Sequence, residues 1–409
     1  MSGLIPVAEA LSRILASVAA PVDEERLPIV EAAGRVLARD VSATRTQPPF
    51  PASAMDGYAV RSADLIALPA RLRQIGISAA GSGFVGAIAA GETVRIFTGA
   101  PVPDGADAVL MQENAEAEGE WVTAKESVAA GRFIRPSGLD FRDGDVLLRA
   151  GDSLNPRRLA LAAAAGCPEL MVRRKPRVAI LATGDELVAP GAPAAWDQIV
   201  ASNGLAVAAL AREAGAEAID LGIAGDSLEA LEDAITRAQA AEADVFITLG
   251  GASVGDHDLV QSALHRQGLE LGFWRVALRP GKPLMHGRLG DMLVIGLPGN
   301  PVSAIVCGLL FVVPAIRALL GDPDAGADRS EPGTLGSPLP PNDGRADYLR
   351  ARIETAPDRL PLVFPENRQD SSMLSILGHA EALLVREPYA AAAAAGAPCR
   401  ILRLDRAIR

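Results

Sequence analysis

Residues 248–260, TLGGASVGDHDLV, carry chemistry-bearing side chains at a spacing that fits two incompatible roles. Gly251-Ala252-Ser253-Val254-Gly255 matches G-x-S-x-G, the nucleophile elbow that would make Ser253 the attacking group of a serine hydrolase. Such an enzyme also needs an acid and a histidine later in the chain, and the sequence has no HGGG-type oxyanion motif. Its four histidines are His257, His265, His286 and His379; His265 falls in the helix after the loop and His379 in a separate C-terminal piece. The other role is a cradle. Gly250, Gly251 and Gly255 admit positive φ and close backbone approach, and the helix start beyond them favours an anion. Because it accounts for more of the loop, the cradle with Ser253 as an auxiliary hydrogen-bonding group is the preferred reading, and the hydrolase stays as the alternative.

Carboxylates surround this loop. Asp256 and Asp258 are either N-caps of the next helix or ligands of a cation that lies between them and a bound anion. Asp226 opens Asp226-Ser227-Leu228-Glu229, a capping-box pattern, so by itself it reads as a cap. Glu186, in TGDEL, adds a third acid on a parallel loop, and a convergent cluster of hard oxygen ligands without His or Cys points to Mg²⁺ rather than zinc. FWRVALRPGKP supplies Arg275, Arg279 and Lys282, either a solvated strand edge or a pocket for phosphate-like anions. LPGNPVSA places Pro298, Gly299, Asn300, Pro301 and Ser303 at a strand-to-helix turn. GSGFVG at 81–86 is a literal G-x-G-x-x-G, but another glycine turn follows within a few residues and leaves no room for the helix a dinucleotide site needs.

The elements that must position these loops alternate. A short buried strand at Val178 to Leu181 precedes a helix near 204–213, a strand at 217–223 and a helix at 227–240. DVFITLGG is the next strand, then a helix from about Asp258 to Arg266, then MLVIGLPGNP and an apolar helix. Such alternation predicts a mainly parallel sheet covered on both faces, with TGDEL, LGGASVGDHD and LPGNP beyond the strands' carboxyl ends, where ligands bind. Upstream, Val7, Leu11, Ile14, Leu15 and Val18 share one helical face. Residues 47–146 read as a small β-domain of short runs such as TVRIF and AVLMQ broken by turns, and RRLALAAAA at 157–165 returns to helix. The two helical pieces are expected to pack together, with the β-domain inserted between them. A Pro/Gly/Asp-rich stretch from Gly321 to Arg345 reads as a linker, followed by a β-rich C-terminal piece.

Composition sets the outer limits. A chain of 409 residues is too long for one ordinary core, and 49% apolar residues suffice to fold several domains. Forty glycines and 30 prolines signal many sharp turns without reaching the level of disorder. A net charge of −11 argues against general nucleic-acid binding. Three scattered cysteines, Cys167, Cys307 and Cys399, indicate a reducing compartment without a disulfide framework. No basic start followed by an apolar run opens the chain, so a cytoplasmic location is expected. Residues 301–316, PVSAIVCGLLFVVPAI, are shorter than a membrane span and contain Pro314, which predicts a buried core helix.

Taken together, SAMDGYAVR at 53–61, RIFTGAPVPDGADAV at 95–109, TGDEL, GGASVGDHD, PGKP and LPGNPVSA resemble the molybdopterin molybdenumtransferases, MoeA-type enzymes related to the C-terminal part of gephyrin. The resemblance covers essentially the whole chain. It implies an α/β multidomain fold. A helical linker and dimer domain comes from 1–46 and 147–175, and an inserted β-domain from 47–146. A molybdopterin-binding α/β domain with a mainly parallel sheet spans 176–325, and a C-terminal β-domain spans 326–409. By the family pattern, Asp56, Thr98 and Asp140 face Glu186, Asp226 and Asp258 of the other subunit across a homodimer cleft, and the last three hold Mg²⁺. Without the resemblance, Asp56-Gly57 would be only a turn. The implied reaction takes adenylylated molybdopterin and molybdate to molybdenum cofactor and AMP, with transient contact to other proteins of that synthesis and none to nucleic acid or membrane. Arg275, Arg279, Lys282 and Ser303, with Ser253 nearby, become the oxyanion candidates. Arg275 and Arg279 stand where several relatives carry Lys, keeping the charge but changing the donor geometry. A non-enzymatic, gephyrin-like scaffold is the other alternative, although little chain length remains for a partner-binding extension.

Overall fold

Strands with no polar alternation must be buried on both faces, and the centre of the chain is built from them. The structure, a computed structural model, describes residues 4–251, 259–355, 357 and 359–406. In its central sheet the strands are β1 (Arg177–Thr183), β2 (Glu217–Ala224), β3 (Val245–Leu249), β4 (Glu270–Arg275), β5 (Pro283–Leu289) and β6 (Met292–Leu297). Their order is β2-β1-β3-β6-β5-β4. The first four are parallel, while β5 and β4 continue the sheet antiparallel. The expected mainly parallel sheet is therefore present, with an antiparallel extension at one edge.

Successive residues of β1 serve opposite layers. Val178 and Ile180 join a core containing α1 (Asn203–Glu213) and the long helix α4 (Pro301–Leu319). Ala179 and Leu181 join Phe246 in a core made with α2 (Leu228–Ala240) and α3 (Leu259–Arg266). Phe246 is fully buried, so its truncation to Ala should cost roughly 3–5 kcal/mol.

α4 corrects one detail of the sequence reading. Its 19 residues, mean hydropathy 2.3, are long and apolar enough to cross a membrane, so length does not exclude a span; but 72% of that window is buried inside the protein, as a core helix requires. Pro314 does not end it, because a π-helical stretch at Gly308–Val312 changes the hydrogen-bond spacing just before the ring that lacks an N–H. In the helix Val7–Ala16, Ala10 and Ile14 are buried in the α4 core.

Two compact units divide the chain: residues 1–25, 34–38 and 171–409 form one, and 26–33 with 39–170 the other. The first also holds a C-terminal β-structure in which Ala346–Glu354, Leu362–Pro365, Glu331–Leu335, Pro398–Arg403 and Ala382–Arg386 pair in that order, and the last returns to the first. Thus the stretch 321–345 is not all linker. Gly333, inside the strand Glu331–Leu335, lets the neighbouring strand approach, since a Cβ there would lie 2.9 Å from Val363 Cγ2. In the second unit, six short strands order as Ala108–Met111, Gly57–Val60, Glu92–Ile96, Ala70–Ser78, Trp121–Ala124 and Ala115–Glu118. No helix follows Gly81–Gly86, in keeping with an accidental motif.

His286, on β5, is 2% exposed. Its Nδ1 lies 3.2 Å from the Val294 carbonyl oxygen and its Nε2 2.9 Å from the Ser17 hydroxyl oxygen, both within hydrogen-bond distance. Burial, aided by the charge of Arg288, pushes its pKa down to about 4. In the unfolded chain it protonates near 6.5, so between these values the unfolded state binds the extra proton. The stabilisation from neutral His286 is complete above pH 6.5 and is lost as pH falls toward 4, by roughly 3 kcal/mol at most. Urea unfolding at pH 7 and pH 4.5 should show that loss, and His286→Gln should remove most of the difference.

Candidate functional site

Since β1 pairs with β3 and β3 with β6 in parallel register, their carboxyl ends emerge side by side. The chain leaves β1 toward β2 on one side, whereas β3 and β6 continue on the other. Loops diverging from such a switch point leave a crevice. Here it is a cleft of about 820 Å³, within the range of small-ligand and cofactor sites. Thr183, Gly184 and Glu186 line it from the first loop, Gly250 and Gly251 from the second, and Pro298, Gly299, Asn300 and Pro301 from the third.

Two glycines make this convergence possible. Gly250 has φ 102°, and a Cβ on it would lie 2.8 Å from the Thr183 carbonyl oxygen. Gly251 has φ 64°, and a Cβ on it would lie 2.2 Å from Val260 Cγ2. Both sit in the left-handed region that side chains disfavour. Ala252, Ser253, Gly255, Asp256, His257 and Asp258 lie outside the described residues. The described histidines, His265, His286 and His379, do not line the cleft.

Helix starts supply a positive pole. Ser202, Asn203 and Gly204 line the cleft at the beginning of α1, where no side chain caps the first-turn N–H groups. Pro301 brings the beginning of α4 to the same wall. Uncapped helix N-termini favour anions. At α4, however, the Val302 N–H already donates to the Ser371 carbonyl (3.1 Å) and Asn300 Nδ2 to Ser371 Oγ (2.7 Å). Ser303 is buried in the first turn of α4 rather than lining the cleft.

Acids supply the opposite pole. Ser227, not Asp226, caps α2: its hydroxyl oxygen accepts the Ala230 N–H at 3.2 Å. This corrects the capping-box assignment and leaves the Asp226 carboxylate on the cleft wall. The Asp226 N–H in turn donates to Asp185 Oδ1 (3.0 Å), tying the two loops together. Burial, then the charges of Asp185 and Glu186, raise the Asp226 carboxyl above its ordinary pKa. Gly184, φ 144°, leaves room for the Glu186 carboxylate to fold over it: a Cβ there would meet Oε2 at 2.4 Å. Crowded carboxylates of this kind fit a divalent cation, which would relieve their repulsion. Among the described residues, no three His, Cys, Asp or Glu side chains are already grouped around one metal position.

The three cations do not act as one cluster. Arg279 is committed to the C-terminal β-structure: Nε donates to Asp347 Oδ1 (2.7 Å), the guanidinium also pairs with Asp343 (3.2 Å), and Nη2 donates to Asn342 Oδ1 (3.0 Å). Arg275, at the end of the edge strand β4, and Lys282 are exposed, and only Pro283 of this stretch lines the cleft.

In the other unit, Asp56 and Thr98 come together. The Asp56 carboxylate accepts the Thr98 N–H (2.7 Å) and hydroxyl (2.8 Å), bonds that hold its pKa below the usual range with help from Arg95. Asp56 is therefore a bridge between two loops, not merely a turn residue. Gly57 beside it admits no side chain, since a Cβ would lie 2.0 Å from the Leu110 carbonyl oxygen. Asp140 lies on a separate turn, its N–H donating to the Gln47 carbonyl (3.0 Å).

The sequence reading passed over Ser202, Asn203, Asp185 and Ser372. Ser-Asn before a helical stretch was an available helix-start signal. Ser372 had none: it reaches the cleft from far along the chain, next to the Ser371 that holds the start of α4.

A mainly parallel sheet with a glycine-lined cleft at its switch point and an acidic wall defines an α/β protein with a ligand-sized site. Residues 5–166 match the MoeA N-terminal region (domain I and II), 179–318 the "Probable molybdopterin binding domain", and 332–404 the MoeA C-terminal region (domain IV). The molybdopterin molybdenumtransferase of Haemophilus influenzae is 40% identical over 319 residues, 78% of each chain. That of Bacillus subtilis is 33% identical over 389 residues, covering 93% of this chain and 90% of its own. The crystal structure of the molybdopterin biosynthesis MoeA protein from Pyrococcus horikoshii superposes with a TM-score of 0.85 at 28% identity, covering 98% and 99% of the two chains. The chain belongs to the molybdopterin molybdenumtransferase family, transferases of molybdenum-cofactor biosynthesis.

Gly251→Val adds a clash with Val260 and an unfavourable φ, so it should impair ligand binding and turnover more than Ser253→Ala. The serine change removes at most one hydrogen bond and should cost about two- to a hundred-fold. A nucleophilic Ser253 would instead lose on the order of a million-fold and label with a fluorophosphonate probe. Parallel kinetics and mass spectrometry of the two variants distinguish these outcomes.

Proposed function

We propose that the protein inserts molybdenum into adenylylated molybdopterin, taking molybdate as substrate and releasing AMP to leave molybdenum cofactor. The observation that carries this reading is the juxtaposition of the uncapped start of α1 and the glycine loops with the Glu186–Asp226 wall in a single cleft. An anionic, phosphate-bearing substrate fits the first pole and a cation shared with it fits the second. Kinship with the molybdopterin molybdenumtransferases of Haemophilus influenzae and Bacillus subtilis supports a transfer of molybdenum.

In this mechanism the backbone of Gly250 and Gly251 and the start of α1 bind the phosphates and the oxyanion. Leu187, Ile199 and Val200 offer an apolar wall for flat rings. Glu186 and Asp226, joined by Asp258 on the family pattern, would hold Mg²⁺, which when bound supplies Lewis-acid polarisation of the phosphoanhydride. Asp185 keeps Asp226 on the wall. No protein nucleophile is needed, because the dithiolene sulfurs of the pterin receive the metal. Arg275 and Lys282 remain exposed to attract anions near the cleft, whereas Arg279 would first have to leave Asp347. We further propose a cytoplasmic homodimer in which Asp56, Thr98 and Asp140 of one subunit complete the site of its partner, visited by other proteins of the synthesis.

Incubating the protein with adenylylated molybdopterin should release AMP only when both molybdate and a divalent cation are present. Equal release in excess chelator removes the cation from the mechanism, and no release under any condition favours a scaffold. Asp56→Ala and Asp258→Ala should each be inactive alone. Mixed after subunit exchange, they should recover up to about half the activity per mixed dimer if one site is rebuilt. No recovery despite demonstrated exchange contradicts a shared site.

A further inference from the structure

Arg95 sits directly opposite Tyr58, where the strands Glu92–Ile96 and Gly57–Val60 pair antiparallel. Its guanidinium carbon lies 4.9 Å from the Tyr58 ring centroid and 5.0 Å from that of Phe97. One of its nitrogens donates to the Gly57 carbonyl (3.1 Å) and another to Gln112 Oε1 (2.6 Å). The backbone N–H of Gln112 in turn donates to the Asp56 carbonyl (3.2 Å). Three of these side-chain contacts therefore reach the segments that carry Asp56 and Thr98. Phe97 precedes Thr98, Gly57 follows Asp56, and Gln112 holds the Asp56 backbone.

We infer that Arg95 is a positioning residue: clasped between the Tyr58 and Phe97 rings, its guanidinium fixes the Asp56 loop against the Phe97–Thr98 loop so that the carboxylate and hydroxyl are presented as one preformed pair. The assignment of this pair to the reaction rests on the function proposed above; the positioning itself does not. A planar guanidinium suits the task because it stacks on two rings while its edge reaches a carbonyl and an amide oxygen at once. An ammonium keeps the charge but cannot stack as a plane or span both acceptors. The rings and Gln112 gain from it too, since Phe97 is 38% exposed and has Arg95 as its cation–π partner.

Charge and position can be separated in the intact protein by following the Asp56 carboxyl by carbon-detected NMR through a pH titration. The two Thr98 hydrogen bonds, more than the charge of Arg95, depress the Asp56 pKa. If Arg95 positions the pair, Arg95→Lys loosens those bonds despite its retained charge, and the Asp56 titration moves upward nearly as far as in Arg95→Gln. Phe97→Leu, which leaves every charge in place, moves it in the same direction. Turnover in both Arg95 variants should fall about tenfold or more in kcat, with a smaller change in KM. An Asp56 titration in Arg95→Lys identical to that of the parent overturns the inference and reduces Arg95 to a point charge; no shift in any variant removes Arg95 from the pair altogether. Retained activity in Asp56→Ala would instead overturn the role of the pair in catalysis while leaving its positioning by Arg95 measurable. Circular dichroism and thermal melts of each variant establish that the titrations report folded protein.

Discussion

The cleft depends on one steric condition: the second loop must cross the end of β1 closer than any side chain allows. Gly250 meets it, with the place a Cβ would occupy only 2.8 Å from the Thr183 carbonyl oxygen. The third loop then rests on the second, since a Cβ on Gly299 would touch Gly250 Cα at 3.7 Å. With these contacts made, the ends of three parallel strands close into one wall, and the starts of α1 and α4 open onto the same space. A side chain at Gly250 would push the second loop off the end of β1.

Electrostatics then divides the wall. Helix starts on one side offer oriented N–H groups, which bind anions without carrying a mobile charge. On the other side burial, and then the nearby charges of Asp185 and Glu186, make the Asp226 carboxyl resist ionisation. A charged state disfavoured in this way is one that a positive neighbour relieves. The same principle appears in the other unit with the opposite sign: donors from Thr98 favour the ionised state of Asp56. One carboxyl is disfavoured in its charged form, and the other is favoured in it.

Sequence reading recovered the features that local patterns encode. Apolar runs marked β1, β2, β3 and β6 but not the antiparallel β4 and β5, and helical spacing marked α1 and α2 to within a residue or two. The positive φ of Gly250 and Gly251 followed from their place after a buried strand. It went wrong where two neighbouring residues compete for one role. Asp226 and Ser227 both suit a helix cap, and only the geometry gives the cap to Ser227. It also read the Pro- and Gly-rich stretch 321–345 as linker, because a strand that needs glycine for close packing resembles a loop in composition.

By itself the sequence determined the alternation of strands and helices, the loops at the strands' carboxyl ends and the family that six ordered motifs resemble. These are properties of spacing along the chain, and spacing is what a sequence records. Only the tertiary structure decided that Arg279 answers to Asp347 rather than to the cleft, that Ser372 reaches the cleft wall, and that the N-terminal helix is buried against α4. Each of those outcomes pairs residues far apart in the chain. Which partner a charged or apolar side chain takes is settled by competition among all the surfaces that the fold brings within reach.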